Sequence, residues 1–119
     1  MATIQQTLES ILTLDGAQCA ALVDSSSGML LGNAGSGLDM DVAAAANTEV
    51  VRAKLKTMRA LGLKNAIEDI LITLETAHHI SRPIPSSECI FVYAVLDKSI
   101  SNLAMARRKL SEAEKNLVF

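Results

Sequence analysis

A chain of 119 residues, half of them hydrophobic and a fifth charged, belongs to the globular class and has the length of one domain, residues 1–119, able to bury about two-thirds of its unfolded surface without metals or disulfides. A formal net charge of −2 gives no overall attraction to nucleic acid or an anionic membrane, and Phe91, Tyr93 and Phe119, the only aromatics, leave almost nothing to stack on nucleobases. No stretch approaches the ~20 apolar residues of a spanning helix and the opening MATIQQTLES lacks a basic start followed by an apolar run, so membrane insertion is not expected and the cytoplasm is the expected location.

The first element is a short helix. Thr3 and Gln6 have the spacing of a capping box, and Ile4, Leu8, Ile11 and Leu12 recur at helical intervals until Asp15-Gly16 stops them. Ala17 to Asp24 and then MLLGNAG form a hairpin around the Gly28 turn. Gly32, Gly35 and Gly37 loosen the second strand and predict an edge position or a bulge there. Cys19 and Cys89 sit far apart in apolar runs and read as buried core residues of a reducing compartment rather than as a disulfide.

Asp39 to Leu63 reads as the longest helix, with Asp39 as N-cap, Asp41 at the positive end of the dipole and Gly62 as the stop. At roughly 100° per residue, Val50, Val51, Leu55, Met58 and Leu61 gather as a bulky stripe suited to a sheet. Val42, Ala46, Ala53, Thr57 and Ala60 form a small-residue flank, and Glu49, Arg52, Lys56 and Arg59 form a charged arc. An amphipathic surface helix needs only one apolar stripe, so the second flank calls for either a neighbouring element of the same chain or a self-association surface. Asn47 and Lys54 fall inside the apolar arc, and a lysine there must snorkel out or meet a carboxylate.

Ile67 to Glu75 alternates: Ile70, Ile72 and Leu74 share a face with Glu68, while Asp69, Leu71, Thr73 and Glu75 share the other. That pattern predicts an edge strand with one wet face. HHISRPIP follows as a strand closed by Pro83 and Pro85, and Ser86-Ser87-Glu88 as a turn. Cys89 to Leu96 is apolar throughout, which fits a central strand covered on both faces. Asn102 to Val118 closes the chain as a helix with Leu103, Ala106, Leu110, Ala113 and Leu117 on one stripe. The order α-β-β-α-β-β-β-α predicts an α+β fold: a five-stranded antiparallel sheet with helices on both faces.

Catalytic patterns are missing from the sequence. GNAGSG precedes a helix, but no Lys-Ser or Lys-Thr follows, and Asp39 and Asp41 place negative charge where a phosphate would sit. His78 and His79, adjacent in a strand, point to opposite faces and have no matching metal-ligand spacing nearby; they read as loop-proximal residues. Ser25 to Ser27 lack a nucleophile elbow. Neither an enzyme nor a cofactor or metal site is expected.

The hairpin VDSSSGMLLGNAG, the helix opening AAAANTEVVRA, the segment EDILITLETAHHISRPI and the finish CIFVYAVLDKSISNLAMARRKL resemble a Roadblock / dynein light chain domain of the bacterial type, in the right order over nearly the whole chain. The resemblance implies a Roadblock/profilin-like fold and dimers, homodimeric or heterodimeric, in which central helices pair and edge strands join. It also implies a non-catalytic regulator or scaffold, a protein-protein interaction module for a Ras-like small GTPase. On this sequence the implied dimer interface is Val42, Ala46, Ala53, Thr57 and Ala60 of the long helix with Ile67, Ile70, Ile72 and Leu74 of the edge strand. Glu49, Arg52, Lys56 and Arg59 are then either a partner-binding patch or a solvated helix face. The alternative function is a small-molecule-sensing α+β domain, which requires a polar-lined interior cavity.

Overall fold

The computed structural model describes residues 2–87 and 89–117. Glu88, assigned from the sequence to a turn, and Val118, assigned to the end of the last helix, lie outside the described residues, as do Met1 and Phe119. Eight elements follow one another: α1 (Ile4–Ile11), β1 (Ala17–Asp24), β2 (Met29–Gly35), α2 (Met40–Ala60), β3 (Ile70–Thr73), β4 (Ala77–Pro83), β5 (Ile90–Asp97) and α3 (Leu103–Asn116). The strands form one five-stranded antiparallel sheet in the order β2-β1-β5-β4-β3, so β5 is central and β2 and β3 are the edges.

Local chemistry sets the ends of the helices. The Thr3 hydroxyl accepts from the Gln6 amide at 3.1 Å while the Thr3 amide donates to Gln6 Oε1 at 3.0 Å, a complete capping box on α1. Asp39 and Asn102 cap α2 and α3 by accepting from the Val42 and Met105 amides at 3.2 and 3.1 Å. Gly62, with φ +72°, ends α2 in the left-handed conformation that a side chain would resist.

The sheet has a core on each face. Alternation along β5 sends Val92, Ala94 and Leu96 to the side of α1 and α3, where they meet Leu8, Ile11, Ala106 and Leu110. Phe91, Tyr93 and Val95 go to the side of α2 and meet Met40, Ala44 and Val51. Each buried Leu, Val or Phe contributes about 1.5–3 kcal/mol, which is why the uniformly apolar strand takes the centre. The glycine-rich strand takes an edge with a bulge: Leu22 pairs with Gly32 and Val23 with Leu30, leaving Leu31 as the extra residue.

Several expectations from the sequence need correction. The edge strand is confined to Ile70–Thr73, so Ile67 and Leu74 lie outside the ladder. Leu74 is instead held in the turn, its amide donating to the Ala77 carbonyl at 2.8 Å. Cys89 is exposed, one residue before β5, while Cys19 is buried and both thiols are free. The core stripe of α2 runs through Met40, Ala44, Thr48, Val51 and Met58. Val50 and Leu61, assigned to it from the sequence, are exposed, because the helix is rotated to lay Ala44 and Thr48 closely against the sheet. The Thr48 hydroxyl is satisfied within the helix, donating to the Ala44 carbonyl at 2.8 Å.

Candidate interaction surface

The small-residue stripe of α2 lies on the outward side of the helix, opposite its core stripe rather than beside it. Val42, Ala46, Ala53, Thr57 and Ala60 are all exposed, Val42 at 63 %. The Thr57 hydroxyl donates to the Ala53 carbonyl at 2.9 Å, so the stripe carries no hydroxyl in need of water. Among the described residues, no other element of the chain covers this flank.

The stripe continues toward β3 across an open groove lined by Val50, Ala53, Lys54, Thr57, Asp69 and Ile70. Cross-strand pairing sets Ile70 opposite Ser81 and Ile72 opposite His79, so Ile70 and Ile72 point to the α2 side of the sheet. Ile70 packs on that core, whereas Ile72 is 40 % exposed and Leu74, beyond the strand, 47 %. Ile67 is half-buried ahead of the strand. Of the nine residues assigned to a dimer interface, those of the helix and Ile72 and Leu74 thus lie exposed on the side of α2 and its neighbouring edge. Ile70 belongs mainly to the core.

Lys54 and Asn47 resolve differently. Lys54 is exposed on the groove wall, and Asp69, on the same groove, is held by Arg107 of α3 at 3.0 Å. Asn47 is half-buried, its amide donating to the Ala43 carbonyl at 2.7 Å, and its side chain lies near the Tyr93 phenol. That hydroxyl lies 2.7 Å from His79 Nδ1, with the two rings edge to face at 5.7 Å. Burial pushes the Tyr93 phenol up, with the Asn47 contact opposing and the nearby Cys19 adding; burial alone pulls the His79 imidazole below its ordinary 6.5. With its proton on Nε2, a neutral His79 accepts from the Tyr93 hydroxyl at Nδ1, the one tautomer in which the phenol can donate to it.

Sequence reasoning missed this chain of groups. His78 and His79 lie in the strand, as expected, at the start of β4 next to the turn. They do take opposite faces, His78 lying beside Thr73 at 3.4 Å. The missing signal is a register: only the β4–β5 pairing, Ser81 to Tyr93 and His79 to Val95, brings the phenol diagonally to the imidazole.

Glu49, Arg52, Lys56 and Arg59 are all exposed along α2. Arg52 is partly committed, since its guanidinium donates to the Ser26 carbonyl and ties the helix to the β1–β2 turn. On the other side of the sheet a cleft of about 440 Å³ opens to the surface between Leu14 and the start of α3. Among the described residues no helix is long and apolar enough to cross a membrane.

No family model matches the sequence, and no curated protein matches it. Solved structures do. The Roadblock/LC7 domain from Streptomyces avermitilis superposes with a TM-score of 0.83 at 10 % identity, over 96 % of this chain and 93 % of that one. The gliding protein MglB from Thermus thermophilus gives 0.80 at 19 % identity, over 94 % and 83 %. An MglB with a tetrameric arrangement gives 0.80 at 19 % identity, over 94 % and 82 %. At such identities the likeness is one of fold, and it is nearly complete in both directions. The chain has the Roadblock/LC7 fold.

Proposed function

We propose that the protein is a non-catalytic homodimer that regulates or scaffolds a Ras-like small GTPase. The observation that carries the reading is the outward face of α2, where Val42, Ala46, Ala53, Thr57 and Ala60 are all exposed, with Ile72 and Leu74 of the neighbouring edge exposed beside them. Contiguous apolar surface of this kind marks an interaction site, and small side chains let a second helix approach closely. The Roadblock/LC7 fold supports the same reading, as does the neighbour whose name records a tetrameric arrangement of MglB. Glu49, Arg52, Lys56 and Arg59 border the stripe and form the patch left for the GTPase once two copies have paired.

Light scattering over a dilution series tests the first half: a dimer that persists to low micromolar concentration is the expected result, and a monomer throughout overturns it. The second half is tested by titrating small GTPases loaded with GTP or GDP against the dimer, binding that depends on the nucleotide being the expected result. A dimer that binds neither form leaves a self-association module without the GTPase role.

A further inference from the structure

We propose that His79 makes association through the α2–β3 face pH-sensitive, the copies pairing while its imidazole is neutral and separating as it takes up a proton. The inference rests on the homodimer reading above. His79 lies on the α2 side of β4, opposite Ile72 on one neighbouring strand and Val95 on the other, half-buried, with Nδ1 2.7 Å from the Tyr93 hydroxyl.

In the neutral state Nδ1 can accept from the Tyr93 hydroxyl. Protonation turns Nδ1 into a donor. The Tyr93 oxygen must then accept from the imidazolium, and its own proton loses Nδ1 as an acceptor in a buried site, an arrangement that costs free energy. The titratable and charged groups on this side of the sheet offer little in return. Tyr93 and Cys19 are neutral, their ionisation disfavoured by burial. Asp97 is engaged by the amide and hydroxyl of Ser99 at 2.9 and 2.7 Å, and Lys54 on the groove wall adds like charge. From β3, the cross-strand partner is the apolar Ile72. A second copy seated on Ile72 and the α2 stripe would take the remaining water from the imidazole. Proton uptake and association therefore oppose each other, and linkage requires a dimer that binds fewer protons to weaken as pH falls.

The test is the dimer dissociation constant of the full chain at pH 7.5 and pH 5.5, for the natural protein and for His79→Gln and His78→Gln. The expected result is a rise of about tenfold or more on acidification, retained in His78→Gln and lost in His79→Gln, whose amide oxygen can still accept from Tyr93. An NMR titration of the natural protein supplies the second readout. His79 should titrate at lower pH in the dimer than in the dilute monomer, and this holds whether or not the Gln variant folds. A dimer whose constant does not move with pH, or whose dependence survives in His79→Gln, overturns this inference and leaves the homodimer standing. A monomer at every pH overturns both.

Discussion

Gly35 shows how one residue without a side chain can fix an edge. It sits at φ +84°, and a Cβ there would lie 2.2 Å from the Gln18 carbonyl oxygen and 2.8 Å from the Cys19 Cα. Both are backbone atoms of β1, which is paired on both sides and cannot move them aside. Gly35→Ala combines a left-handed conformation with a main-chain clash, and a loss of about 2–4 kcal/mol is expected in urea unfolding. Gly62 has a comparable φ of +72° but open space around it, so Gly62→Ala should cost only about 1 kcal/mol. If the two variants are equally stable, close approach at Gly35 is not what shapes β2. The glycines were visible in the sequence as a loosened strand; which one faces a backbone required the pairing of β1 with β2.

The elements are joined by side chains far apart in sequence. Arg82 of β4 grips Glu114 of α3 in a two-pronged pair at 3.1 and 3.2 Å, with the side chains only 16 % and 6 % exposed. Removing the arginine leaves a buried carboxylate without its partner, so Arg82→Ala should cost about 2–4 kcal/mol in thermal or urea unfolding. Arg108→Ala, which breaks the well-exposed pair with Glu112 along α3, should cost less than about 0.5 kcal/mol. Helix α2 makes the opposite kind of commitment, since its outward stripe stays exposed rather than packing within its own chain. Ala53→Arg should yield monomer at concentrations where the natural protein is dimeric, as a long charged side chain cannot fit a close helix contact; an unaltered dimer would remove the stripe from the interface. Lys56→Glu with Arg59→Glu reverses the charged arc without touching Arg52 and its bond to Ser26. That pair should weaken GTPase binding at least about tenfold with dimerisation intact, measured by titration calorimetry.

At the scale of the whole molecule, acid should act in two stages. Burial lowers the His79 pKa below its ordinary 6.5, so between those values the unfolded chain binds a proton that the folded chain refuses. Stability is therefore complete above about pH 6.5 and declines below it. Asp24 and Asp97 are lowered from 3.8, each held by the hydroxyl and amide of a serine two residues on, Ser26 and Ser99. Their contribution is present above 3.8 and is lost as pH falls further. Urea midpoints across pH 8 to 3 should show a first decline that His79→Gln removes and a second that it leaves. A flat profile from pH 8 to 5 would mean that His79 titrates as it does in the unfolded chain.

Element types, their order, the capping residues Thr3 and Asp39 and the central place of β5 were all legible in the sequence, because hydrophobic period and cap chemistry are local properties of the chain. The sequence likewise separated the three faces of α2. Only the tertiary structure decided where the inward face is centred, since Ala44 and Thr48 had to meet Phe91, Tyr93 and Val95 of a distant strand before Val50 and Leu61 could be known to stay outside while Val51 and Met58 went in. Strand length at the β3 edge, the exposure of Cys89 and the contact between Tyr93 and His79 were decided in the same way. Each depends on register between segments, and a period of two along one strand carries no information about which residue of the next strand it will face.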